Sequence, residues 1–313
     1  MLDVHTLRHR QQKFATDADE LELQAITRGP QVFEAGARDD RISGAVQDIE
    51  DESGVASDAL RSQRQDLGAD EIAGGISEEI SRRSRLMGTA YPFDVSKSDI
   101  SHRPSKSKFY EFCLAASCSP SITEGEYVAF PRQFERASAV LVEFFMGASA
   151  LSLHVGAPRD AAVGTTFKKG MEMLAKRTGE FVWMPEDDLP TDPPVGGDEG
   201  VDFVVWRPME DGRIGNLFLL CQCACGGDWL QKWNDLDLER LGKWFNPISK
   251  VKPVRAFATP FHAVDGNLFE GSRRAGLFFD RARLALIAEK HGEDPKWTAW
   301  QATLEKVSKL VLE

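Results

Sequence analysis

Apolar residues recur at helical spacing near the start of the chain, at Leu7, Phe14, Leu21 and Leu23, with Ile26 beyond them and Gly29-Pro30 as a stop. A second helical stripe, Ile72, Ile76 and Ile80, follows Asp70 as its cap and ends at Gly88. Its polar side, SEEISRRSR, reads as a solvated face with i,i+4 charge pairs. Residues 31–68, between the two stripes, hold few large apolar side chains and many Asp, Gly, Ser and Arg, so loose helix at most, and partial mobility, is expected there.

From Tyr91-Pro92-Phe93 onward, aromatic and β-branched residues become denser. A boundary near residue 90 is therefore expected, separating a helical N-terminal region (1–90) from an α/β domain (91–313). Helix is predicted around Phe109, Phe112 and Cys113, and again from Pro131, where Phe134, Ser138, Leu141 and Phe145 make a buried stripe with Glu135 beside it. A strand near 151–155 precedes a helix carrying Phe167, Met171 and Leu174, closed by Gly179. A loop rich in Pro, Asp and Gly then leads into two apolar runs, 201–206 and 216–225, joined through Asp211-Gly212 and predicted to form an antiparallel hairpin. Asp235 or Asp237 opens a short helix ending near Phe245, 254–260 supplies a third strand of the central sheet, and two helices (272–290, and from Asp294-Pro295 to Val311) close the chain. The expected fold class is α/β, a small mixed β-sheet flanked by helices.

Composition narrows this picture. With 42% hydrophobic and 28% charged residues the chain has an ordinary globular balance. No run approaches the ~18 apolar residues a membrane span needs, and MLDVHTLRHRQQKF lacks the apolar core of a signal peptide, so a cytoplasmic location without membrane partners is expected. Five cysteines, three of them at Cys221, Cys223 and Cys225, make a poor disulfide framework. The net charge of −11 comes mostly from residues 1–90, which hold 18 acidic against 11 basic residues. Such a balance argues against a non-specific DNA coat, which relies on Lys and Arg, but leaves room for an acidic metal site.

Candidate chemistry lies in the hairpin. A turn centred near Gly212 sets Asp202 opposite Gln222, and directly opposed side chains share a sheet face, so an acid and an amide oxygen would meet. A helix bearing Phe134-Glu135, then Gly200-Val201-Asp202, then Gln222 in an apolar strand resembles the PD-(D/E)XK nuclease superfamily, in its restriction-endonuclease-like branch. The resemblance covers residues 131–262, with a long insertion between helix and hairpin. It implies a restriction-endonuclease-like core, Asp202 as principal metal ligand, Gln222 as ligand or water-orienting group, and Glu135 as an additional carboxylate. It further implies Mg²⁺, which prefers hard oxygen donors and polarises its waters, and DNA as the partner. Two residues beyond Gln222 the family pattern has a lysine, and this chain has Ala224; Lys168, Lys169 and Lys232 are the candidates to replace it, failing which the site is inactive.

Other features have plainer readings. Asp202 and Gln222 can equally be a hydrogen-bonded pair at a sheet end. The three cysteines share one strand face, but same-face neighbours lie about 6.6 Å apart, too far to converge on Zn²⁺ unaided, so no zinc is expected and the thiols are expected to be buried and inert. Gly226-Gly227-Asp228-Trp229 is either a phosphate nest or an exit turn, and His154 and His262 read as core or edge residues. Three functional classes remain: a divergent Mg²⁺-dependent nuclease-like protein of restriction or defence type, with impaired catalysis; a non-enzymatic interaction module binding a protein through the acidic N-terminal helices; and a thiol-based regulator.

Overall fold

The computed structural model describes residues 4–33, 58–190, 193, 199–245 and 251–313. The chain forms two compact units, residues 1–105 with 311–313, and residues 106–310. Most of the stretch for which loose, partly mobile helix is expected (34–57) lies outside the described residues.

In the first unit, helix α1 (Val4–Thr27) packs against α2 (Asp58–Met87). The second helix begins well before Asp70, because Gly68 is carried inside it rather than breaking it. Ile72, Ile76 and Ile80 are buried as their spacing predicts, and Gly88, at φ +53°, ends the helix. A three-stranded antiparallel sheet in the order β1-β3-β2 completes the unit, from β1 (Gln31–Val32), β2 (Phe93–Val95) and β3 (Asp99–His102). Pairing of Ile100 with Gln31 and Val95 ties 93–102 to the N-terminal helices. The unit boundary therefore falls after Ser105, beyond the change in sequence texture near residue 90.

The polar side of α2 is not simply solvated. Arg83 is fully buried: its Nη1 donates to Asp19 Oδ1 (2.7 Å) and Glu22 Oε1 (2.8 Å), its Nε to Glu79 Oε1 (2.9 Å), and its Nη2 to the Ala15 carbonyl (2.8 Å). The Tyr91 hydroxyl closes the network on Glu22 Oε1 at 2.6 Å.

The second unit is built on a five-stranded mixed sheet in the order β4-β5-β6-β7-β8. β4 (Leu151–His154), β5 (Phe203–Arg207) and β6 (Leu217–Cys223) are antiparallel; β7 (Val254–Ala258) and β8 (Leu277–Phe279) run parallel to β6. Alternation sorts the two faces. Leu153, Val204, Trp206, Phe218 and Leu220 join one core with Phe167, Met171 and Leu174 of α5 (Phe167–Thr178) and Leu241 of α6 (Leu238–Gly242). Phe203, Val205, Leu219 and Cys221 point the other way, toward α4 (Ala129–Met146), which packs on β4 and β5. Around α4, the rings of Phe109 and Phe112 in α3 (Phe109–Ser117) meet Phe134 and Phe130. Phe145, expected on the buried stripe, is 51% exposed: it lies in the last turn of the helix, where one edge of its ring meets Phe279 and the rest is open.

The long helix expected over 272–290 is two helices, α7 (Asp265–Ala275) and α8 (Arg281–Lys290), with β8 between them; α9 (Pro295–Leu312) follows. Gly276 makes the break. Its φ is +90°, and a Cβ there would stand 2.3 Å from the Arg255 carbonyl oxygen. Gly276→Ala should therefore destabilise the second unit by about 1–3 kcal/mol from the backbone alone, with the clash in addition. An unchanged melting temperature would contradict this account of the turn.

Candidate active site

Register brings the two hairpin residues together. Phe203 pairs with Cys221, so the next position outward sets Asp202 beside Gln222, as the opposed-residue expectation has it. The connection from 208 to 216 is longer than a tight reversal, and Glu180 clips its base by accepting from the Gly215 and Asn216 N–H groups, each at 2.9 Å.

Asp202 is held from three sides. Its N–H donates to the Cys221 carbonyl (2.9 Å), and its own carbonyl accepts from Val155 (2.8 Å) and Gly156 (2.7 Å). Its carboxylate Oδ2 accepts the Cys223 N–H at 2.6 Å. Glycine at 156 is required, since a Cβ would lie 2.8 Å from Asp202 Oδ1. Gly200, at φ +78°, makes a similar close approach to the Asp235 carbonyl, bringing the 232–240 segment over the sheet end. There Gln222, 6% exposed, accepts the Leu236 N–H on its Oε1 at 3.3 Å.

Together these residues line a cavity of about 430 Å³, shared with Asp228, Lys232, Asp235 and Arg240. Lys232 Nζ stands between two carboxylates, 3.5 Å from Asp228 Oδ2 and 3.8 Å from Asp235 Oδ2. Arg240 is anchored at the rim, donating to the Asp235 carbonyl and to Glu199 Oε2, both at 2.6 Å. Of the three lysines considered for the missing position, Lys232 is the one that lines this cavity; Lys168 lies 4.0 Å from Glu172 along its own helix, and Lys169 packs on Gly164. Ala224 is buried in the cavity wall. The Gly226-Gly227 pair is an exit turn, with Trp229 N–H donating to the Gly226 carbonyl.

Glu135 is not in the lining of this cavity, although its charge acts with that of Asp202 on Cys223 and Cys225, which are. Leu153 faces the α5 core, so His154, next along β4, faces α4, where its Nε2 meets Glu135 Oε2 at 2.7 Å. Gln222 shares the parity of Phe218 and Leu220 and so lies on the opposite face. Helical periodicity places Glu135 beside the buried stripe without telling which face of the sheet that stripe covers. His154, read as a core or edge residue, is buried on the edge strand β4 and is in addition the partner of this carboxylate.

Cys221 and Cys223 alternate with Gln222 along β6, yet Cys223 and Cys225 line the Asp202 cavity together with it. All five thiols in the chain are free. Burial raises Cys221, Cys223 and Cys225 well above the usual thiol range, with Asp202 adding to the effect at the first two and Glu135 the leading charge at Cys225. The proton is therefore retained at pH 8, where the thiolate is the species that reacts. Iodoacetamide at that pH should leave Cys221 and Cys225 unmodified in the folded protein and label them only in denaturant, read by peptide mass spectrometry. Rapid labelling of either in the native state would contradict the burial account.

Among the described residues no three His, Cys, Asp or Glu side chains are grouped so as to hold a metal by themselves, and no helix is long and apolar enough to cross a membrane. Asp228, Asp235 and Arg240 are site members that sequence reasoning missed. Their signal was the helix-like charge spacing Asp228, Lys232, Asp235, which reads equally well as turn and capping residues. Comparison with protein-family models, curated proteins and solved structures gives no match.

Proposed function

We propose that the second unit is a divergent, slow Mg²⁺-dependent nuclease-like phosphodiesterase acting on DNA, of the restriction or defence type. The observation that carries this is that Asp202, Gln222 and Lys232 line one cavity, which supplies a lysine although the motif position itself is Ala224. The restriction or defence setting itself rests on the resemblance of the Phe-Glu, Gly-x-Asp and Gln-x-x order.

The donor set fits magnesium. That ion is commonly held through one or two carboxylates while keeping several waters, which suits Asp202 with Asp228 or Asp235 in a cavity of this size. When bound, Mg²⁺ supplies charge to a phosphoryl oxygen and a more acidic water. The chain's own residues do the remainder. The Cys223 N–H fixes the orientation of the Asp202 carboxylate. Gln222 is assigned a donor role in place of metal ligation, since its Oε1 already accepts from Leu236 and its amide N–H₂ is left for a water or phosphoryl oxygen. Lys232, loosely held between two aspartates, can turn its ammonium toward charge developing on the phosphate. Glu135, bonded to His154 outside the lining, is assigned no ligand role.

A second reading, the interaction module, has one observation in its favour: the Asp202 carboxylate and the Gln222 carbonyl each satisfy a backbone N–H, which is work that a purely structural pair would do. Magnesium linkage separates the two. A ligand that binds only the folded state at ten times its Kd stabilises by about 1.4 kcal/mol. Wild-type protein should therefore melt higher in saturating MgCl₂ than in matched ionic strength of KCl, and Asp202→Asn should lose that increment. Equal melting temperatures in the two salts for wild type would favour the interaction module.

A further inference from the structure

On the other side of the 234–239 segment lies a second cavity, about 460 Å³, lined by Asn234, Leu236, Asp237, Glu239 and Arg255. Arg255 sits in β7 opposite Leu220 of β6, partly buried. Its Nη2 donates to the Trp233 carbonyl at 2.7 Å, but its Nε is buried without a hydrogen-bond partner. Among the described residues it makes no ion pair. Asp237 supports its charge only from a distance, because that carboxylate caps α6 through the Glu239 and Arg240 N–H groups at 2.8 and 3.1 Å. The guanidinium is only partly covered, but its Nε is shut off from water with no acceptor, which is unfavourable unless one arrives to meet it. The planar fork of arginine matches the oxygens of phosphate or carboxylate.

The rest of the lining narrows the ligand. Asp237 and Glu239 face the same space and repel any anion, a dianion about twice as strongly as a monoanion, so a singly charged group offering two oxygens to the one guanidinium is favoured over a doubly charged one. Location narrows it further. Consecutive residues of one segment divide between the cavities, Asp235 and Arg240 lining the first, Asn234 and Leu236 the second, while the Leu236 N–H reaches back to Gln222. We propose that the Arg255 cavity is a separate phosphodiester-binding subsite, holding a backbone phosphate of the same DNA strand that enters the Asp202 cavity. The subsite rests on the nuclease-like reading for its choice of ligand, but not for its test.

The experiment measures binding of a fluorescein-labelled DNA oligonucleotide in CaCl₂ across a salt series, for wild type, Arg255→Gln, Arg255→Lys and Asp202→Asn. Arg255→Gln should bind about tenfold more weakly with a salt slope shallower by about one, the signature of one lost phosphate contact. Arg255→Lys, which keeps the charge, should retain the slope. Asp202→Asn, which alters the metal cavity, should leave the Arg255-dependent part of the salt slope in place, as two separate subsites require. Loss of the Nη2 bond to the Trp233 carbonyl costs at most the net worth of one hydrogen bond, so a native circular dichroism spectrum and a melting temperature lowered by no more than a few degrees identify a binding effect in the Arg255 variants. Wild-type affinity and slope in a folded Arg255→Gln protein, or no binding by wild type, would overturn the subsite. Arg255-dependent binding without cleavage by any protein would uphold it and remove the catalytic reading alone.

Discussion

Arg83→Met should unfold much of the first unit. The guanidinium is fully buried and serves Asp19, Glu22 and Glu79 at once, so its removal leaves three carboxylates gathered in the interior without their shared cation, Arg82 remaining on Glu79 at 2.9 Å and the Tyr91 hydroxyl on Glu22. Breaking a buried ion pair from one side costs about 3–5 kcal/mol, a large part of the stability of an ordinary domain. For a unit of this size that corresponds to a fall of more than about 10 °C in the first melting transition. The partners of Arg83 matter more than its charge. Replacing Arg83 and Glu22 together with apolar residues should recover part of the loss, which a double-mutant cycle would read directly. A first transition unchanged in Arg83→Met would mean that the network is not the anchor of the unit.

Lys232→Ala should lower metal-dependent cleavage by about 10²–10³ while hardly changing the fold. Its ammonium is 43% exposed and lies 3.5 Å or more from its two aspartates, and exposed pairs of this kind contribute about 0–1 kcal/mol to stability. The loss in rate is of the size seen when one well-placed electrostatic donor is removed from a reacting centre. Lys232→Arg, which keeps charge but not shape, should restore part of the rate. Equal rates for wild type and Lys232→Ala would assign Lys232 to the surface and leave the cavity without its cation.

Much of this architecture is legible in the chain because local patterns decide it. The spacing of Ile72, Ile76 and Ile80 and of Phe167, Met171 and Leu174 follows helical period, and those side chains are buried. The pairing of Asp202 with Gln222 follows from alternation on either side of the hairpin, even though the connection is longer than a two-residue turn. What could not be read depends on contacts between distant segments. Three residues, Leu277 to Phe279, are too few to show a strand's alternation between two helical patterns, and their pairing with β7 supplies the sheet position. Arg83 looks solvated within α2 because the acids that bury it, Asp19 and Glu22, lie on α1. Glu135 sits at the right place along its helix for the suspected motif, but the face of the sheet it meets is set by the parity of Leu153 and His154. Lys232 comes from an irregular segment after the strand, where no period marks a side chain as pointing into a cavity.

The account turns on Asp202, and the most direct measurement is cleavage of plasmid and oligonucleotide DNA in MgCl₂ or MnCl₂ by wild type and Asp202→Asn side by side. Asparagine keeps an oxygen to accept the Cys223 N–H, so the fold at the sheet end should survive. The predicted result is slow cleavage by wild type that stops with chelator, a rate at least about 100-fold lower in Asp202→Asn, and melting temperatures that agree in the absence of metal. No cleavage by either protein, or equal cleavage by both, would contradict it.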